Sequence, residues 1–85
     1  MTTTKEIEKA ISSFKSNTRQ FSARTMELSE KLGIRTDSAD WQDVTAEQIV
    51  ASGVFNQAEA DAIIFILAET GKDIEAVDHF VIFGW

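Results

Sequence analysis

Isoleucine, phenylalanine, phenylalanine and leucine recur at Ile7, Phe14, Phe21 and Leu28, one every seven residues, and a second row follows four residues after each at Ile11, Thr18, Thr25 and Leu32. Alternating steps of four and three give a 3.5-residue period, the pattern of a coiled-coil seam. The period predicts one amphipathic helix over residues 4–32, roughly 43 Å long at about 1.5 Å per residue. A compact chain of 85 residues has a radius of gyration of about 12 Å and a diameter of roughly 30 Å. Such a helix overhangs its own domain, so its apolar seam must be covered by another chain, by the rest of this one, or by a break.

The break has local support. Ser12, Ser13, Ser16, Asn17 and Thr18 are weak helix formers gathered mid-segment, and Asn17 with Gln20 can cap a second helix. The continuous helix is nevertheless the expectation, with the break at Ser16 and Asn17 as its alternative. Thr18 and Thr25 weaken a dimer zipper, because a buried hydroxyl needs a hydrogen-bond partner. Ile7, Ile11, Phe14, Phe21, Leu28 and Leu32 are the candidate partner-binding residues. The competing reading makes the same stripe an ordinary core-facing one.

Charge divides the chain. Residues 1–35 hold seven cationic side chains against four carboxylates, and residues 36–85 hold Lys72 alone against ten. The halves carry +3 and −9, for a total of −6. This polarity favours packing of the halves on each other, or head-to-tail association of copies. It opposes direct nucleic-acid binding, since the overall field repels phosphate.

One small domain, residues 1–85, follows from the length, and it can bury only about 60 to 65% of its unfolded surface. With no cysteine, neither disulfides nor thiolate metal sites can supplement that core. The longest apolar run, residues 62–68, falls far short of the roughly 20 residues needed to cross a bilayer. The N-terminus lacks a signal peptide's continuous apolar stretch. A cytoplasmic protein without membrane contact is the expectation.

Beyond Gly33, placed to end the first helix in a left-handed conformation, residues 36–85 read as a bundle of short helices. Thr36, Asp37 and Ser38 offer N-caps for a turn carrying Trp41, a core anchor by its bulk. Thr45 with Gln48 and Asn56 with Glu59 match capping boxes. The second box opens a helix from Gln57 to about Thr70 that is nearly all apolar in its last turns, and so is central. It is the expected intramolecular cover for the seam. Asp73 caps the last element, in which Ile74, Val77 and Val81 keep helical spacing. The apolar run at residues 80–85 reads as a helix end tucked into the core, with an extended partner-binding tail as the alternative.

No reaction motif is present. The helix, glycine turn and helix of residues 45–70 have the outline of a DNA-binding element, but the would-be recognition helix carries Glu59 and Asp61 and no Lys or Arg. His79 is the sole histidine, one turn after Glu75, and a single imidazole with one carboxylate does not close a metal site. Asp37, Asp40 and Asp43 are spaced by three rather than two, with Gln48 where a calcium loop needs a bidentate glutamate. No serine pairs with His79 at a recognisable spacing, and no glycine-rich phosphate loop occurs. The chain reads as a non-enzyme with no catalytic residue, cofactor, metal or small-molecule substrate.

Gly71, Asp73, Ile74, Glu75, Ala76, Val77 and Val81 resemble the last helix of ubiquitin-associated domains, and Gly53-Val54-Phe55 is similar to that family's Met-Gly-Phe binding loop. The likeness covers about 30 residues and implies a three-helix packing of the same general kind. Ser52 stands in place of the methionine, Ala76 sits one place early and the middle helix is about one turn longer, so ubiquitin contact through Val54 and Phe55 does not carry over.

The expected fold is all-α: a long N-terminal helix packed on a compact bundle of two to four shorter helices. The expected role is non-catalytic protein binding by a small acidic module, a stoichiometric inhibitor, adaptor or assembly subunit of the kind that phages and other mobile elements encode. Its partner would be another protein or a second copy, met through the seam. Two alternatives stand beside it. One is a nucleic-acid mimic that presents the ten carboxylates of residues 36–85 to a basic groove of an enzyme; the other is a homo-oligomeric virion or scaffold subunit.

Overall fold

The computed structural model describes residues 2–84, and among them all regular structure is helical. Five α-helices follow in order: α1 (Thr4–Ser16), α2 (Thr18–Leu32), α3 (Ala46–Ala51), α4 (Gln57–Thr70) and α5 (Ile74–Phe83). A 3-10 turn, Ala39–Asp43, precedes α3. No helix among the described residues is long and apolar enough to cross a membrane.

The expected single helix over residues 4–32 is two. Asn17 leaves the helical region at φ −146° and ψ 77°. Its backbone N–H donates to the Phe14 carbonyl, and its side-chain oxygen accepts the Gln20 N–H at 3.1 Å, so one residue closes α1 and caps α2. Packing makes the break favourable. On a straight helix Phe14 and Phe21 would be separated by a rise of roughly 10 Å, but here their ring centroids are 4.3 Å apart. Folding back lets both rings enter one core, together with Phe55 at 6.0 and 6.1 Å. The overhang disappears as well, for the molecule measures 29 × 28 × 22 Å with a radius of gyration of 11.3 Å. The α-helices run from 6 to 15 residues, and no single one dominates the bundle.

Helix α4 lies at the centre, against α1, α3, α5 and the 3-10 turn, while α2 is covered by α5. The two halves of the seam are thus buried by different elements. Both expected capping boxes form, at Thr45 with Gln48 and at Asn56 with Glu59. Trp41 is fully buried and its indole N–H donates to the Arg35 carbonyl at 2.8 Å. Next to it, Gln42 Nε2 donates to the carbonyls of Leu67 and Lys72 at 2.9 and 2.7 Å, tying the 3-10 turn to the end of α4 and the turn that follows it.

Over residues 80–83 the apolar C-terminal run is helix and not an extended tail, but only part of it enters the core. Helix α5 continues through Phe83, with Val81 buried, Phe80 half-buried, and Ile82 and Phe83 exposed. Trp85 lies outside the described residues.

Candidate functional site

The six seam residues fall into two groups. Phe14, Phe21 and Leu28 are at most 2% exposed, deep in the intramolecular core. Ile7, Ile11 and Leu32 are half-buried and pack on the same core from its margin. In this fold the centre of the seam has no surface left for another chain, because α4 and α5 already cover it.

The Val54-Phe55 loop is also engaged from within. The Arg24 guanidinium lies 4.3 Å from the Phe55 ring centroid and donates to the Val54 carbonyl at 2.8 Å. The same group pairs bidentately with Glu59, at 3.0 and 2.9 Å. Burial alone would raise the Glu59 carboxyl, but the Arg24 hydrogen bonds, the Asn56 backbone N–H and the Arg24 charge outweigh it and hold the carboxyl below the ordinary glutamate value. Phe55 is buried beneath this clamp. Helices α3 and α5 each pack on α4, and side chains of α1 and α2 close over the loop between α3 and α4.

The exposed apolar surface lies elsewhere. Met26 is 63% exposed, Phe83 57%, Phe65 48% and Ile82 43%. Three of these four, Met26, Ile82 and Phe83, border one groove of about 380 Å³ between α2 and α5. Phe65 stands apart on α4. Ser22 Oγ donates to Asp78 Oδ1 at 2.6 Å across the groove, and Thr36 Oγ1 donates to Glu75 Oε2 at 2.9 Å, so two side-chain bonds tie α5 to the α2 side. His79 also borders the groove, with its ring 4.6 Å from that of Phe83.

Ser22, Asp78 and His79 all border this groove, a gathering that sequence spacing does not reveal. The serine hydroxyl donates its hydrogen bond to the carboxylate, which ties α2 to α5. Among the described residues no three His, Cys, Asp or Glu side chains converge as metal ligands.

Sequence reasoning missed this groove because its residues come from two helices and a linker. One signal was available: Met26 is a large apolar residue off both seam rows, directly after Thr25. The fold and the groove define a small α-helical protein with an apolar, acid-bordered cleft. Compared with protein-family models, with curated proteins and with solved structures, the chain matches none.

Proposed function

We propose that this is a non-catalytic protein-interaction module, an inhibitor, adaptor or assembly subunit, whose docking surface is the α2/α5 groove. The observation that carries the reading is the convergence of Met26, Ile82 and Phe83 on one concavity of about 380 Å³. Scattered exposed apolar residues are ordinary, whereas several on one concave face mark a binding surface. The role expected for the seam thus passes to the surface beside it. The proposed place of action is the cytoplasm, with whose reducing conditions a cysteine-free chain is compatible.

The mimic reading has weaker support. Of its ten carboxylates, Glu59, Asp61, Asp73 and Asp78 are half-buried, and each is occupied within the fold: by Arg24, by Gln57, as an N-cap and by Ser22. The exposed six, Asp37, Asp40, Asp43, Glu47, Glu69 and Glu75, are spread over a linker, the 3-10 turn and three helices.

Site-specific photocrosslinking in the protein's own cells tests the proposal. A photoreactive amino acid at Met26 or Ile82 should give a discrete adduct with another protein, and the same group at exposed Ser13 on α1 should not. Equal yields from all three positions, or none from any, would overturn it.

A further inference from the structure

The chemistry of the groove's occupant can be read from the groove's border. We infer that it receives a short amphipathic helix of a different protein, with large apolar side chains on one face and Lys or Arg beside them. This inference rests on the reading of the groove as a docking surface and adds the character of what docks.

Charge is the first argument. Glu75 and Asp78 line the groove, and no Lys or Arg does. Glu30 stands on the same stripe of α2 as Met26, one turn further on. The nearby cations do not line the cleft: Lys72 borders an adjoining depression that shares Glu75 and His79 with it, Arg35 pairs with Asp37, and Arg19 lies two turns from Met26 along α2. Ser22 takes one of the roughly four lone-pair positions that the Asp78 carboxylate offers. An incoming ammonium or guanidinium would pair with carboxylates beside an apolar floor, where the attraction is less screened than in open water.

Backbone chemistry selects the helix. Among the described residues there is no strand, so the groove offers no ladder of unpaired N–H and C=O groups. An extended peptide pressed into it would lose water from backbone groups that then lack partners. A helix brings those groups already paired, and its i, i+3/i+4, i+7 stripe matches a cleft between two helices.

A second copy of the chain does not supply the required surface. A symmetric pairing of grooves would set Glu75 and Asp78 against their own equivalents. Phe65, the other exposed large apolar residue, has Asp61 and Glu69 four residues to either side on α4, so it brings the same sign of charge. Helix α1 has Lys5, Lys9 and Lys15 but exposes no large apolar side chain. Among the described residues, none of the four exposed large apolar side chains stands on a face that also carries Lys or Arg beside it.

The test is a 15N NMR titration of the full chain with three synthetic helical peptides of about 18 residues: a leucine face with lysine flanks, the same face with glutamate flanks, and lysine flanks with alanine for every leucine. The first should shift the amides of Met26, Asp78 and Ile82, lose affinity as salt is raised, and bind at least about tenfold more tightly than the others. Met26→Lys and Ile82→Lys, with spectra otherwise unchanged, should each weaken it by about tenfold.

Equal binding of the glutamate-flanked peptide would overturn the basic occupant and leave the docking groove standing. Absence of groove shifts with either leucine peptide would overturn both. Equal binding of the alanine peptide would reduce the effect to surface charge and overturn the inference. So would a concentration-dependent doubling of the chain's own mass that Ile82→Lys abolishes, since the occupant would then be a second copy.

Discussion

The Arg24 guanidinium faces the Glu59 carboxylate in a two-pronged pair, Nη1 to Oε2 at 3.0 Å and Nη2 to Oε1 at 2.9 Å. It joins the basic N-terminal half to the acidic C-terminal half, 35 residues apart in the chain. Because Glu59 also closes the capping box of α4 through the Asn56 N–H, one carboxylate secures both a helix start and a helix-to-helix contact.

Arg24→Ala should lower stability by about 1–3 kcal/mol, between the small worth of surface pairs and the larger cost of breaking a buried one. The side chains are 28% and 16% exposed, which excludes the buried extreme. Glu59→Gln keeps an acceptor for Asn56 and should cost less. Urea denaturation of both variants and of the double variant, as a cycle, measures the coupling.

The same pair predicts an acid sensitivity. The Glu59 carboxyl is held below the ordinary glutamate value, so its contribution is fully present above that ordinary value and is lost as pH falls through the lower folded one. Thermal melts from about pH 6 to pH 3 should show the loss, and Glu59→Gln should flatten the lower part of the curve. A Glu59→Gln profile parallel to wild type would rule out this source.

Phe14→Asp combined with Phe21→Asp should abolish folding rather than yield a folded monomer. Each substitution would bury an unpaired carboxylate in the aromatic cluster, and loss of even one such ring to alanine costs about 3–5 kcal/mol against a total of about 5–15 kcal/mol for a domain. Far-ultraviolet circular dichroism decides it: a retained helical spectrum would show that the seam is not core.

Asn17→Ala should cost about 1 kcal/mol through loss of the α2 cap. It should not fuse α1 and α2, because a straight helix would pull Phe14 and Phe21 apart. Amide chemical shifts across residues 14–21 report the outcome, and continuous helical values would refute the packing explanation of the break.

Met26→Gln and Ile82→Gln should change stability by no more than about 0.5 kcal/mol, as exposed positions away from caps and core do. Equilibrium unfolding checks this. A larger loss would assign these side chains to the fold instead of the groove.

Local chemistry was legible wherever it acts over three or four residues. The capping boxes at Thr45 and Asn56, the Asp73 cap, the anchoring of Trp41 and the central place of α4 all rest on short-range rules. The periodic stripe was also sound as a list of apolar positions, since all six named seam residues lie in the core or against it. Its geometry was not legible, because a 3.5-residue repeat is satisfied equally by one helix against a partner and by two helices that each pack on another element of the same chain. Gln42 shows the same limit, for nothing around it in sequence points to two carbonyls 25 and 30 residues away.

By itself the sequence determined an all-helical chain, its caps, its charge division and which residues avoid water. Only the tertiary structure decided that the first stripe is spent internally and that Met26, Ile82 and Phe83 share the open groove. The reason is physical: periodicity and capping act along the chain, whereas a break at Asn17 is worth making only when Phe14, Phe21 and Phe55 can meet, and that depends on contacts between distant segments.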